Sequence, residues 1–134
     1  MKEHYVSFKV AKLLKEKGFD WECSTYLYTI NVYNYGVEPC RFQINDSKNS
    51  ELASDKMTAP TQQMACDWLR EEHEIDIIPV IRHSLKYAQE SPFRDYACRV
   101  YDCDGNIVLS ATKWYSRYEN AVEAALEYSL KNLI

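Results

Sequence analysis

Three side-chain types in this 134-residue chain could act on a substrate: five cysteines, three histidines and 20 acidic residues. A nucleophilic thiol needs a base within hydrogen-bond reach. Cys66 and His73 are the closest such pair in sequence. Both fall in a stretch with helical periodicity, where a spacing of seven shares a face but leaves about 10 Å along the axis. They cannot form a dyad. There is no C-x-x-C and no histidine pair at zinc-site spacing. Asp102-Cys103-Asp104-Gly105-Asn106 has a faint likeness to a calcium loop but lacks the later ligands and the glutamate at the twelfth position. A hairpin turn accounts for it. Three glycines, with no G-x-G-x-x-G and no P-loop, cannot cradle a phosphate. Glu71 and Glu72 sit at an exposed helix end. No catalytic, cofactor or metal site is expected, and the chain leans away from being an enzyme. An odd number of cysteines is expected to be reduced, packed as small hydrophobes in the cytoplasm. A Cys98–Cys103 disulfide is not expected, because the hairpin register does not pair them.

The elements that must position these residues belong to one domain, 1–134. Hydrophobic residues make up 46% and charged residues 27%, so a packed core is expected rather than disorder. No apolar run approaches the ~18–20 residues of a membrane span, and Met1–Tyr5 has no signal-peptide core. The net charge of −4 disfavours a dedicated nucleic-acid binder, whose affinity rests on Lys and Arg. Eleven tyrosines exceed what a core can satisfy, so several are expected on a sheet face or in a groove.

Along the chain, Ser7 is placed to cap a helix carrying Val10, Leu13 and Leu14. Gly18 and Phe19 are placed to close it in a Schellman motif with Leu14. Cys23–Tyr33 reads as a strand, turning at Asn34-Tyr35-Gly36 into a weaker strand near Cys40–Ile44. Pro39 there suggests an edge. Asn45–Met57 reads as a long polar loop, the first place to seek an element that orders on binding. Thr58–Ile81 reads as a capped helix feeding directly into a strand. Pro60 or Thr61 begins the helix, Met64, Trp68 and Leu69 line its inner face, and Pro79 marks an edge or bulge. Ser84–Phe93 reads as a loop.

A hairpin follows. A two-residue Asp104-Gly105 turn pairs Cys103 with Asn106 and turns Tyr96, Cys98, Val100, Ile107, Leu109 and Ala111 toward the helices. Ala97, Arg99, Tyr101, Val108 and Ser110 take the other face. Ser116 and Glu119 read as the capping box of a last helix carrying Val122, Leu126 and Leu130. The expected fold is α+β: an antiparallel sheet of about four or five strands with three helices, mainly on one face.

From Thr61 onward the order helix, strand, strand, strand, helix resembles double-stranded-RNA-binding domains in topology. Those domains place a lysine cluster at the last helix, where this chain has only Lys113 and Arg117, followed by Glu119 and Glu123. Topology alone does not carry function. The run Lys113–Tyr118 could stack bases.

Val10–Phe19, Ala59–Ala65 with Trp68–Glu71, and the closing Tyr118–Ala121 and Leu130–Ile134 resemble short uncharacterised proteins of Bacteroides-type bacteria, their phages and integrated elements. The resemblance spans most of the chain, with the middle loop as its variable part. It implies a cytoplasmic setting and an accessory role, and carries no activity and no site residues. The expected function is protein binding, to a partner or to another copy, with no membrane contact. The candidate binding residues are Arg99, Tyr101, Lys113, Tyr115 and Arg117. The alternative is a small nucleic-acid-binding protein.

Overall fold

The computed structural model of the chain describes residues 3–32, 36–84, 93–110 and 113–134. Those residues fall into two compact units that meet in sequence between Ala65 and Cys66. The expectations for the turn at 34–35, for most of the loop after Ser84 and for Ala111 lie outside them.

The first unit begins with α1 (Phe8–Glu16), whose ends follow from single residues. The Ser7 hydroxyl accepts from the Val10 N–H at 3.2 Å. At the other end Gly18 takes φ +92°, a conformation that costs glycine little. Phe19 N–H then donates to Leu14 and Gly18 N–H to Lys15, at 2.9 and 3.2 Å, which is the Schellman pattern. Val6, Val10, Leu14 and Phe19 are fully buried. Three antiparallel strands follow in the order β2-β1-β3: β1 is Cys23–Val32, β2 Gly36–Ser47 and β3 Lys56–Thr58. Cys23, Thr25 and Leu27 turn inward. Pro39 lies on β2, an edge strand, as its missing donor requires.

The polar segment 45–57 is not a free loop. β2 runs on to Ser47, a 3₁₀ turn spans Asn49–Glu51, and β3 begins at Lys56. Asn49 is buried and bonds in two directions: its amide donates to Phe19 C=O and its oxygen accepts from Thr58 N–H, both at 2.8 Å. Asp20 accepts from the Ser50 N–H and hydroxyl at 2.8 and 2.9 Å. The Lys15 ammonium donates to the carbonyls of Ala53 and Lys56. Side chains that read as solvating the segment instead satisfy its backbone and tie it to the end of α1.

α2 (Gln62–His73) leads from the first unit into the second. Thr61 caps it, accepting from Met64 N–H at 3.1 Å, and Pro60 precedes the cap. Glu74 then takes φ 54°, with its N–H on Arg70 C=O at 3.2 Å, closing α2 by a left-handed residue that is not glycine.

The second unit holds a separate sheet, β4-β5-β6: β4 is Asp76–Ser84, β5 Phe93–Tyr101 and β6 Ile107–Leu109. The expected single sheet is therefore corrected to two three-stranded antiparallel sheets. β3 closes the first sheet on β1 and the chain goes straight into α2, so β4 starts anew with β5 as its partner. Pro79 again lies on an edge strand. α3 (Tyr118–Asn132) packs on β4 and β5, burying Val122, Leu126 and Leu130. Arg117, not Ser116, is its N-cap residue, and no side chain makes the cap bond.

The hairpin turn is also corrected. Asp102 N–H bonds Asn106 C=O at 2.9 Å and Gly105 N–H bonds Asp102 C=O at 3.0 Å, which leaves a three-residue loop with Gly105 at φ +77°. Tyr101 therefore faces Ile107, and a bulge at Val108 restores the pairing of Val100 with Leu109. Ile107 joins the outer face with Tyr101 and is 52% exposed.

Candidate binding face

The outer face of the second sheet follows from the alternation of β4 and β5. Ile77, Cys98 and Val100 are buried toward α3, so their neighbours point the other way. The register sets Asp76 opposite Tyr101, Ile78 opposite Arg99, Val80 opposite Ala97 and Arg82 opposite Asp95. Ile78 is 42% exposed and Arg99 is exposed, Val80 and Tyr101 are half-buried, and Ala97 opposite Val80 is fully buried, so the face is open at the Ile78–Arg99 end and covered at Ala97. At one end the Arg82 guanidinium lies over the Trp114 ring, 4.4 Å from its centroid, and pairs with Asp95 at 2.7 Å. At the other end Asp76 is held by Arg70 at 2.9 Å. The face thus has aliphatic residues between an arginine–tryptophan stack and a tyrosine, with its acidic groups paired. Aromatic residues and arginine around an apolar centre are what protein interfaces concentrate.

Of the five residues expected to bind, the fold brings together two, Arg99 and Tyr101. Tyr115 pairs backbone to backbone with Tyr96 at 2.7 and 2.8 Å. It therefore takes the face of Tyr96, whose ring stands edge-on to Tyr118 of α3 at 5.9 Å. Arg117 sits at the start of α3, 3.7 Å from Glu119. Lys113 is exposed before that turn. Ile78, Arg82 and Ile107 complete the face without having been expected there. The alternation around Pro79 carried a signal for Ile78, whereas the position of Ile107 depended on the bulge.

Three of the thiols that could do chemistry are kept protonated by burial. Burial, with the Cys98 thiol next in effect, pushes the Cys66 thiol up to about 12. Burial pushes Cys98 up to about 11. It does the same to Cys23, also to about 11, against a partial offset from the Thr58 hydroxyl. Protonated thiols are poor nucleophiles and poor metal ligands. The His73 ring stands edge-on to Trp68 at 4.7 Å, on the same helix as Cys66. Among the described residues, no three His, Cys, Asp or Glu side chains gather as a metal site. A cleft of about 190 Å³ in the first unit, lined by Glu3, Tyr5, Cys23, Thr61 and Met64 among others, is smaller than the ~300–1,000 Å³ of ligand pockets. Among the described residues, no helix is long and apolar enough to cross a membrane.

Compared with known proteins, the chain matches no family model, no curated protein and no solved structure.

Proposed function

We propose that the protein is a non-enzymatic accessory protein, of the kind carried by phages and mobile elements, that acts in the cytoplasm by binding another protein. The binding surface is the outer face of β4, β5 and β6. The observation that carries this reading is the exposure of Ile78 and Ile107 on the same face as Arg99, Tyr101 and the Arg82–Trp114 stack. The raised thiols support the non-enzymatic part. Partner capture with the wild-type chain and with an Ile78→Ser/Arg99→Glu double variant tests it. The variant keeps the wild-type melting temperature and loses the partner by at least about 30-fold in Kd, or about 2 kcal/mol. Equal affinity of the two chains for the same partner contradicts it.

One observation favours a second reading. α2, β4, β5, β6 and α3 follow the α-β-β-β-α order of a double-stranded-RNA-binding domain. That reading requires retention on a nucleic-acid column at low salt, falling steeply as salt is added. Absence of retention disposes of it.

A further inference from the structure

Charge is distributed unevenly over the outer face of β4, β5 and β6. Both of its aspartates are already paired, Asp95 with Arg82 at 2.7 Å at one end and Asp76 with Arg70 at 2.9 Å at the other. Arg99 stands between them on β5, exposed, with Ile78 directly across on β4. Two residues further along β5 comes Tyr101, which has Asp76 on one side and Ile107 on the other. Three arginines thus meet two aspartates. The surplus positive charge falls at the centre of the face, on a chain whose net charge is −4.

The sheet sets the spacing of these groups. Partners on adjacent strands lie about 5 Å apart, and next neighbours on the same face of one strand about 7 Å. Ile78, Arg99, Tyr101 and Ile107 therefore fit under one short segment of another chain. A guanidinium presents a planar fork that a carboxylate meets with two parallel hydrogen bonds. The isoleucines beside it call for apolar cover, and a segment that covers them also shields the ion pair from salt. A carboxylate approaching Arg99 meets aspartates whose charge is already offset by their own arginines, so like-charge repulsion is small. A nucleic acid is the poorer match. Its affinity grows with the number of phosphates neutralised, which takes a track of cations, and its backbone offers nothing to two exposed isoleucines.

We propose that the partner docks an acidic segment on this face. An Asp or Glu side chain pairs with Arg99, and the apolar side chains flanking it cover Ile78 on one side and Tyr101 with Ile107 on the other. This rests on the outer face being the binding surface and adds the chemistry that the surface selects.

Random heptapeptides displayed on phage, selected on the immobilised full chain at low salt, test the two parts separately. The selected peptides carry Asp or Glu with apolar residues on both sides. In fluorescence anisotropy they bind Arg99→Gln at least about tenfold more weakly than wild type, and the difference shrinks as salt rises. Replacing the peptide's acid by its amide costs the same, and costs nothing further in the Arg99→Gln chain, because both changes remove one contact. The Arg99→Glu chain selects Lys or Arg at that peptide position instead. Arg99 is exposed, so these variants keep the wild-type melting temperature. Peptides weakened by Ile78→Ser but not by Arg99→Gln overturn the acidic partner and leave the binding face standing. Peptides weakened by neither change, or no selected peptide at all, overturn both. An RNA duplex that binds through Arg99 where no peptide does overturns the inference in favour of the nucleic-acid reading.

Discussion

Asn49 is where a surface-looking residue does a core residue's work. Its carboxamide satisfies Phe19 C=O and Thr58 N–H, both away from water. Asn49→Ala leaves two backbone groups unsatisfied and costs about 3 kcal/mol, read as a lower urea midpoint at unchanged slope. The thiols make a second prediction at this scale. Unfolded thiols ionise near the ordinary 9.0, whereas Cys66 and Cys98 in the fold do so at about 12 and about 11. Between those values the native state holds protons that the unfolded chain has lost. Stability contributed below pH 9 is therefore lost as pH rises through the window from about 9 to about 12. Cys98→Ala flattens that decline in urea midpoints measured from pH 8 to 10.5. Residue types alone could exclude a Cys66–His73 dyad, because helical spacing is fixed. They could not reveal that Asn49 is buried, because an asparagine in a polar run has the same composition whether it solvates the chain or staples it.

At the scale of elements, local chemistry was legible wherever one residue decides a backbone state. Ser7, Gly18 with Phe19, Thr61, and the prolines of the two edge strands lie where their types demand. Two ends were not legible. Ser116-x-x-Glu119 has the capping-box pattern, yet the helix begins one residue later, behind Arg117. Asp104-Gly105 suits both a two-residue turn and a three-residue loop with glycine in the left-handed position. The Asp102 carboxylate decides for the second by accepting from the N–H groups of Asp104 and Asn106 at 3.0 and 2.9 Å. Glu74 is the converse case, a left-handed residue at the end of α2 that carries a side chain. Glu74→Gly relieves that strain and raises stability by about 0.5–1 kcal/mol in urea titration. A fall in stability would mean that the Glu74 side chain contributes more than its backbone costs.

Across the whole molecule, strand and helix content could be read from period and propensity, but strand partnership could not. Pairing between β1 and β3, 30 residues apart at Leu27 and Met57, depends on Asn49 and Asp20 drawing the intervening segment back. None of that leaves a periodic trace. The binding face was half legible for the same reason: Arg99 and Tyr101 follow from alternation within one strand, while Ile78 and Ile107 join them only through pairing. Site-specific photo-crosslinking in the cell that makes the protein tests the face most directly. A benzophenone side chain is placed at Ile78 or Tyr101, and at Glu71 on the exposed side of α2 as control. Binding through the outer face predicts the same discrete protein adduct from positions 78 and 101 and none from 71. No adduct from either face position, or an equal one from Glu71, contradicts it.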